Sequence, residues 1–295
     1  MNAFKKVVKT MTKGSNSYIL SDLDKWLMND RGGQDRRFDI NSPSCAGRCQ
    51  RANYYSRVLT QNTVLIDPRL RRIFENGDGV HERLQTYFEK MGRMMMSEMP
   101  LIDDDYLIQG HTDGLITYAN GERLAVLEIK SINDNGYNQL KAPKSEHIKQ
   151  AMVYLHCAEK RRKYLRKTYL TAEDFKESLP ERVKWAKKHY THLKNGSRFT
   201  AKQKLNKKVR DHLLADEILY DCEFPIDVVV FIYENKNTQM IKEFGVDSDK
   251  KLTTEVLTDY SFLNKCVENE NPPPRIGTKN SQACQYCDWK HDCWN

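Results

Sequence analysis

Between residues 123 and 132 the chain reads RLAVLEIKSI, an apolar strand-like run carrying one carboxylate, Glu128, and one ammonium, Lys130. Strand side chains alternate between faces, so Glu128 and Lys130 point one way and Ile129 the other. Charges within an apolar strand are costly to bury unless they are paired or hold a metal. Just upstream, Asn120-Gly121 predicts a type I′ hairpin turn, which needs positive φ at both central residues. That turn would fold the strand carrying Asp113 alongside, bringing two carboxylates and an ammonium together at one edge of a sheet. The plain reading is a surface salt bridge on an edge strand. The chemical reading is phosphodiester hydrolysis: Asp113 and Glu128 offer hard oxygen ligands for Mg2+ or Mn2+, and Lys130 orients the attacking water or neutralises the developing anion.

Around this hairpin the pattern alternates helix and strand. A first helix is expected from the cap-like Ser21, with Leu23, Trp26 and Leu27 on one face. A second should run from Ser42-Pro43-Ser44 through CAGRCQRANYYSRVL, and a third over about 68–91, interrupted or re-aimed near Gly77 and Gly79. Residues 31–38 read as a loop. The strands fall between 106 and 131, and a helix capped by Ser145 follows to about Lys163. Later come two or three helices broken near Pro180 and at Asn195-Gly196, then the strand PIDVVVFIYE, a turn at Asn235–Asn237, its partner QMIKEFGVD, and a helix over about 249–268. The expected class is α/β with a helical insertion.

The charge is unevenly spread. The chain of 295 residues carries +8 overall, but from Lys160 to Arg210 there are eighteen Lys and Arg against four acids, so the remainder is net acidic at −6. Such a block is the footprint of a polyanion partner or, more plainly, a solvated helical surface. Tyr164, Tyr169, Trp185, Tyr190 and Phe199 are interleaved with it. They could stack on unpaired bases or form the apolar faces of the helices.

Two further patterns bear on the carboxylates. Gly77-Asp-Gly-Val-His81 sets a lone imidazole in a helical stretch, and a neutral imidazole suits Mn2+, although a lone His is more often structural. Gln150-Ala-Met-Val-Tyr154 presents an amide and a phenol on one helix face. Taken in order, GxxxH, an Asp in Gly110-His-Thr-Asp113, ExK and QxxxY resemble the RecB-type branch of the PD-(D/E)xK nuclease superfamily over residues 77–154. The resemblance implies a restriction-endonuclease-like core, with a central mixed sheet flanked by helices. It also implies metal ligation by His81, Asp113, Glu128 and the carbonyl of Ile129, Lys130 as catalytic lysine, and Gln150 and Tyr154 bracing the site and contacting DNA. On that reading residues 1–295 form a single nuclease domain with a basic helical insertion at 160–220. Lys160, Arg161, Arg162, Lys163, Arg166 and Lys167, following the QxxxY helix, are then expected near the site and on DNA phosphates.

Eight cysteines in a long chain without an apolar leader argue for ligands over disulfides. Cys284-x-x-Cys287-x5-Cys293 has metal-knuckle spacing but supplies three thiolates, and a tetrahedral site needs a fourth. Cys266 stands beyond a triple proline, which leaves Cys45 and Cys49 as candidates. The chain also resembles family members, among them the AddB nuclease domain and the RecB-like nucleases of CRISPR adaptation, in which one N-terminal and three C-terminal cysteines hold a 4Fe–4S cluster. Their pattern S-x-S-x4-C-x4-Y/F-Y/F, laid on Ser42 to Tyr55, selects Cys49 and marks 42–55 and 280–295 as cluster-binding segments. Gln50 stands where the family has Pro. Structural Zn2+ is the alternative occupant, because four thiolates suit it equally. Cys157, Cys222 and Cys266 read as buried small hydrophobes.

The expectation is therefore a DNA exonuclease acting on single strands or ends in replication, recombination or repair, with a phage-encoded enzyme as one such setting. The alternative is a non-catalytic DNA-binding subunit of a recombination or replication complex. A cytosolic location is expected, with a mitochondrial address as the alternative for the lysine-rich N-terminus. No run reaches the roughly 18 apolar residues of a membrane span, and no G-x4-GK[ST] loop supports an ATP-driven motor.

Overall fold

The strand that carries Glu128 and Lys130 lies at the centre of a five-stranded mixed sheet. The structure, a computed structural model, describes residues 19–29, 37–59, 67–121, 123–196 and 199–295. In chain order the helices and strands are α1 (Leu20–Asn29), α2 (Gln50–Val58), α3 (Pro68–Lys90), β1 (Met94–Ser97), β2 (Pro100–Asp103), β3 (Ile108–His111), β4 (Gly114–Tyr118) and β5 (Arg123–Ile132). There follow α4 (Asp134–Gln139), α5 (Ser145–Thr168), α6 (Ala172–Glu177), α7 (Leu179–His189), α8 (Ala201–Asp221), β6 (Val228–Asn235), β7 (Ile241–Asp247), α9 (Lys250–Glu268), α10 (Gln282–Gln285) and α11 (Lys290–Trp294).

The sheet order is β1-β4-β5-β6-β7, and β2 and β3 form a separate two-stranded ribbon. Strands β4 and β5 are antiparallel, with Gly114 opposite Leu127, whereas β5 and β6 run parallel, with Glu128 opposite Phe231. A parallel pair needs a crossover, and the connection here carries α4 to α8. The basic block is thus an elaboration of that crossover.

Alternation along β5 decides which helices meet which face. Ala125, Leu127 and Ile129 join Ile116, Ile232 and the α3 residues Val80 and Leu84 in one buried cluster. Val126 packs with Leu115, Val229, Phe231 and Tyr233 against α5, α8 and α9 on the other face. Glu128 and Lys130 share the parity of Val126 and so face α5. The result is an α/β layer structure with a mixed central sheet flanked by helices, consistent with a restriction-endonuclease-like core. Among the described residues no helix is long and apolar enough to cross a membrane.

Several local expectations are corrected. Helix α3 is continuous through Gly77 and Gly79, started by Asp67, whose carboxylate accepts from the Arg69 and Leu70 amides. Packing of Val80 and Leu84 against the sheet outweighs a cost of about 1 kcal/mol per glycine. The β4–β5 turn is a 3-10 turn at Ala119–Gly121 with positive φ at Ala119 and Gly121, so Asn120 does not take the type I′ role. The segment from Ser42 splits into a 3-10 turn, Pro43–Cys45, and α2, separated by Gly47 at φ +74°. The N-cap of α5 is Lys144, without a side-chain cap, and the helix runs on to Thr168. On α1 Leu27 is buried, while Leu23 and Trp26 are exposed. Strand β5 is central and not an edge strand, and β1 and β2 were not foreseen. Most of the loop expected at 31–38 lies outside the described residues.

Candidate functional site

Four separate parts of the chain meet where β4 stops and β5 runs on. Residue pairing between these strands ends at Gly114 and Leu127. Beyond that point the Ile129 amide donates to Asp113 Oδ2 at 2.6 Å, so the Asp113 carboxylate takes the place of a strand partner. A residue's N–H and C=O lie on the same edge of an extended strand. The Ile129 carbonyl therefore also faces the Asp113 side. From α3, His81 Nδ1 lies 3.1 Å from Asp113 Oδ1. One turn further along the helix, Gln85 Nε2 donates to the Asp113 backbone carbonyl at 2.7 Å. Gln85 was not singled out from sequence, although its i+4 spacing from His81 puts it on the same face.

On the α5 face, Glu128 is 2% exposed and its Oε1 is ion-paired with Lys130. Its second oxygen, Oε2, is buried with no hydrogen-bond partner. Lys130 Nζ donates to Gln150 Oε1 at 3.4 Å, and Gln150 Nε2 donates to the Tyr154 hydroxyl. Asp113, Glu128, Lys130, Gln150 and Tyr154 thus form one connected group, with His81 joined through Asp113.

The electrostatics follow from burial and from two carboxylates at close quarters. Burial, then the Asp113 charge, push the Glu128 carboxyl up to about 7, with Lys130 and His81 opposing. Burial works against charge on His81, but the hydrogen bond and charge of Asp113 win and raise it. The Tyr154 phenol is held well above its ordinary value by burial, then by Glu128 and Asp113. An orphaned buried carboxylate oxygen beside a second carboxylate, an imidazole and a backbone carbonyl is a donor set that fits a hard divalent cation. Among the described residues, no three His, Cys, Asp or Glu side chains stand in ready-made metal geometry.

The basic residues of late α5 are not presented as expected. Lys160 bonds Asp103 and Asp105, both at 2.6 Å. Arg161 makes a two-pronged contact with Asp216 and lies over the rings of Trp185 and Tyr164. Arg162, 8% exposed, is tied to Glu159 and to the carbonyls of Cys222 and Glu223. Arg166 donates to the carbonyls of Tyr220 and Cys222. These arginines tie α5 to α8 and the residues that follow it, Lys160 ties α5 to the turn after β2, and Lys163 and Lys167 are exposed. Tyr154 and Lys167 are thirteen residues apart on α5, about 20 Å at the helical rise. The end of this group therefore lies well away from the carboxylates.

The cysteines sort cleanly. Cys49, at the start of α2, lines one apolar cavity with Cys284, Cys287 and Cys293, walled by Tyr55, Trp289 and Trp294. Burial, together with nearby Cys49, Asp288 and Cys284, pushes the Cys287 thiol up. Cys45 does not line this cavity. Its carbonyl accepts from Asn53. Four thiols around one cavity fit an iron–sulfur cluster or Zn2+ by donor chemistry. Cys157 and Cys266 are buried, but Cys222 is only half-buried, and its thiol donates to the Phe224 carbonyl.

No family model matches the chain, and no curated protein matches it. Among solved structures the chain is similar to that of SSO0001, at 14% identity over 92% of this chain and 95% of that one, with a TM-score of 0.46. It is also similar to an alkaline exonuclease (LHK-Exo) from Laribacter hongkongensis, at 12% identity over 79% of this chain and 90% of that one, with a TM-score of 0.42.

Proposed function

We propose that the protein is a divalent-metal-dependent DNA nuclease of the RecB type, an exonuclease acting on single strands or DNA ends. The observation that carries this reading is the buried Glu128 Oε2 without a partner, set among Asp113, His81 and Lys130. An isolated buried carboxylate oxygen is costly, and a cation is the partner that its surroundings accommodate.

In this reading His81, Asp113, Glu128 and the Ile129 carbonyl hold Mg2+ or Mn2+. When bound, the metal supplies an activated water and charge neutralisation at the phosphate. Lys130 exchanges its contact with Glu128 for the attacking water or the phosphate oxygen. Gln150 holds Lys130 in place, and Tyr154, kept protonated by its burial, holds Gln150. Cys49, Cys284, Cys287 and Cys293 would hold a 4Fe–4S cluster, with structural Zn2+ as the alternative, joining the early and late segments of the chain across a long loop.

End-labelled single- and double-stranded DNA, digested with Mn2+ or Mg2+ by the wild-type protein and by Lys130→Ala, tests this. Cleavage by the wild type alone is expected. Equal activity of both removes the site assignment, and inactivity of both favours a DNA-binding assembly subunit.

A further inference from the structure

A second cavity, of about 490 Å3, opens between late α5, α7 and the turn after β2. Its walls carry the rings of Tyr164, Tyr169 and Trp185, with Asp104, Glu181 and Arg182 among them. The size is that of an ordinary small-molecule site. Its chemistry is unusual within so basic a segment. Lys160 is spent on Asp103 and Asp105, and Arg161 on Asp216, so the cavity is poorly suited to a phosphate. Arg182 is 4% exposed, and its Nη1 stands 3.5 Å from the Asp216 carboxylate, so it too is spent. What enters must therefore stack on aromatic faces and donate to carboxylates.

A nucleobase does both. Its π-face stacks on Tyr or Trp, and its amino or imino groups donate. The phosphates attached to such a base need cations outside the cavity, and the helices supply them. Lys167 is one turn from Tyr164, Lys188 is one turn from Trp185, and both are exposed. Tyr164 stands ten residues from Tyr154 on α5, about 15 Å at the helical rise.

We propose that this cavity captures an unpaired base of single-stranded DNA, with the adjoining phosphates on Lys167 and Lys188. The proposal rests on the nuclease reading for its substrate, and it narrows that substrate to strands with bases free to leave the stack. A duplex keeps its bases paired and gains nothing from the cavity.

Tyr164 is half exposed, so its replacement leaves the fold intact. Binding of fluorescein-labelled 20-mers, single-stranded and duplex, is measured by anisotropy with no divalent metal added. Tyr164→Ala is expected to weaken single-strand binding roughly tenfold, the order of one lost base stack. Tyr164→Phe should retain it, and duplex binding should stay unchanged. A 2-aminopurine in the single strand should be quenched by the wild type and not by Tyr164→Ala. Unchanged single-strand affinity of Tyr164→Ala, or equal weakening of both DNA forms, overturns the base site. Cleavage assays keep the two readings apart: Tyr164-dependent binding by a wild type that never cuts DNA supports the cavity and sinks the nuclease. Metal-dependent cutting with Tyr164-independent binding does the reverse.

Discussion

Pro43 leans so closely on Gly110 that a β-carbon on Gly110 would stand 2.6 Å from Pro43 Cδ and 3.0 Å from its Cγ. Gly110 lies in β3, three residues before Asp113. The same early segment touches α5 through Gly47, whose added β-carbon would meet Lys149 and Glu146 at 3.1 and 3.3 Å. The stretch from Pro43 to Cys49 is therefore held between the strand that leads to Asp113 and the helical turn that precedes Gln150. Its position links the cysteine cavity to the carboxylate site by direct packing. Gly110→Ala should destabilise the fold by about 1–3 kcal/mol, the usual cost of overpacking. Thermal unfolding would read this as a lower Tm, and an unchanged Tm would mean that Pro43 moves aside freely.

Gln150 touches both Lys130 and Tyr154 and neither carboxylate. It acts through Lys130, so Gln150→Ala should lower cleavage by about 10- to 100-fold, as loss of a supporting contact does at metal sites. Metal titration should show kcat falling more than apparent metal affinity. A variant whose affinity falls and whose kcat is unchanged would make Gln150 part of the cation site instead.

Cys49→Ser and Cys45→Ser separate the two early cysteines. Only Cys49 lines the cavity with Cys284, Cys287 and Cys293. Anaerobically purified Cys49→Ser should lose bound iron and acid-labile sulfide, and Cys45→Ser should keep both. Zinc found in the wild type in their place identifies the alternative occupant.

The carboxylate site was legible because its chemistry is local to the pattern. Period-two alternation in β5 put Glu128 and Lys130 on one face, and period-3.6 spacing paired Gln150 with Tyr154. Those rules need no tertiary information. The ion pairs of the basic helices were not legible because they are tertiary: nothing near Arg161 in sequence announces Asp216, fifty-five residues away. The continuity of α3 through Gly77 and Gly79 was hidden for a similar reason, since propensity disfavoured it and only packing of Val80 and Leu84 on the sheet restored it. Strands β1 and β2 escaped notice because four-residue strands carry too few alternations to read.

Arg162 illustrates the difference between a charge count and a contact. It is buried against Glu159 and the carbonyls of Cys222 and Glu223. Arg162→Ala should cost about 1–3 kcal/mol by leaving these acceptors unmet. A Lys163→Ala, Lys167→Ala double variant should leave Tm unchanged and flatten the salt dependence of DNA binding by roughly two phosphate contacts. If instead Arg162→Ala keeps its Tm and loses DNA affinity, the arginine serves the polyanion directly.

Asp103 supplies the clearest pH signature. Its side chain is fully buried and accepts from His156 at 2.8 Å and from Lys160 at 2.6 Å. Burial works against its charge, but these donors and the Lys160 charge hold its pKa below the ordinary 3.8. A carboxylate depressed on folding adds stability that is complete above the unfolded value and lost as pH falls through the folded one. Lys160 is raised above 10.5, burial again opposing and Asp103 and Asp105 prevailing, so its share is lost only as pH rises beyond that value. Asp103→Asn should therefore lower stability by about 1–3 kcal/mol at neutral pH, the cost of leaving the Lys160 ammonium without its buried acceptor. The gap from wild type should stay constant from pH 5 to 9 and close below about pH 4. A gap that persists unchanged at pH 3 would show that the Asp103 charge contributes nothing beyond its shape.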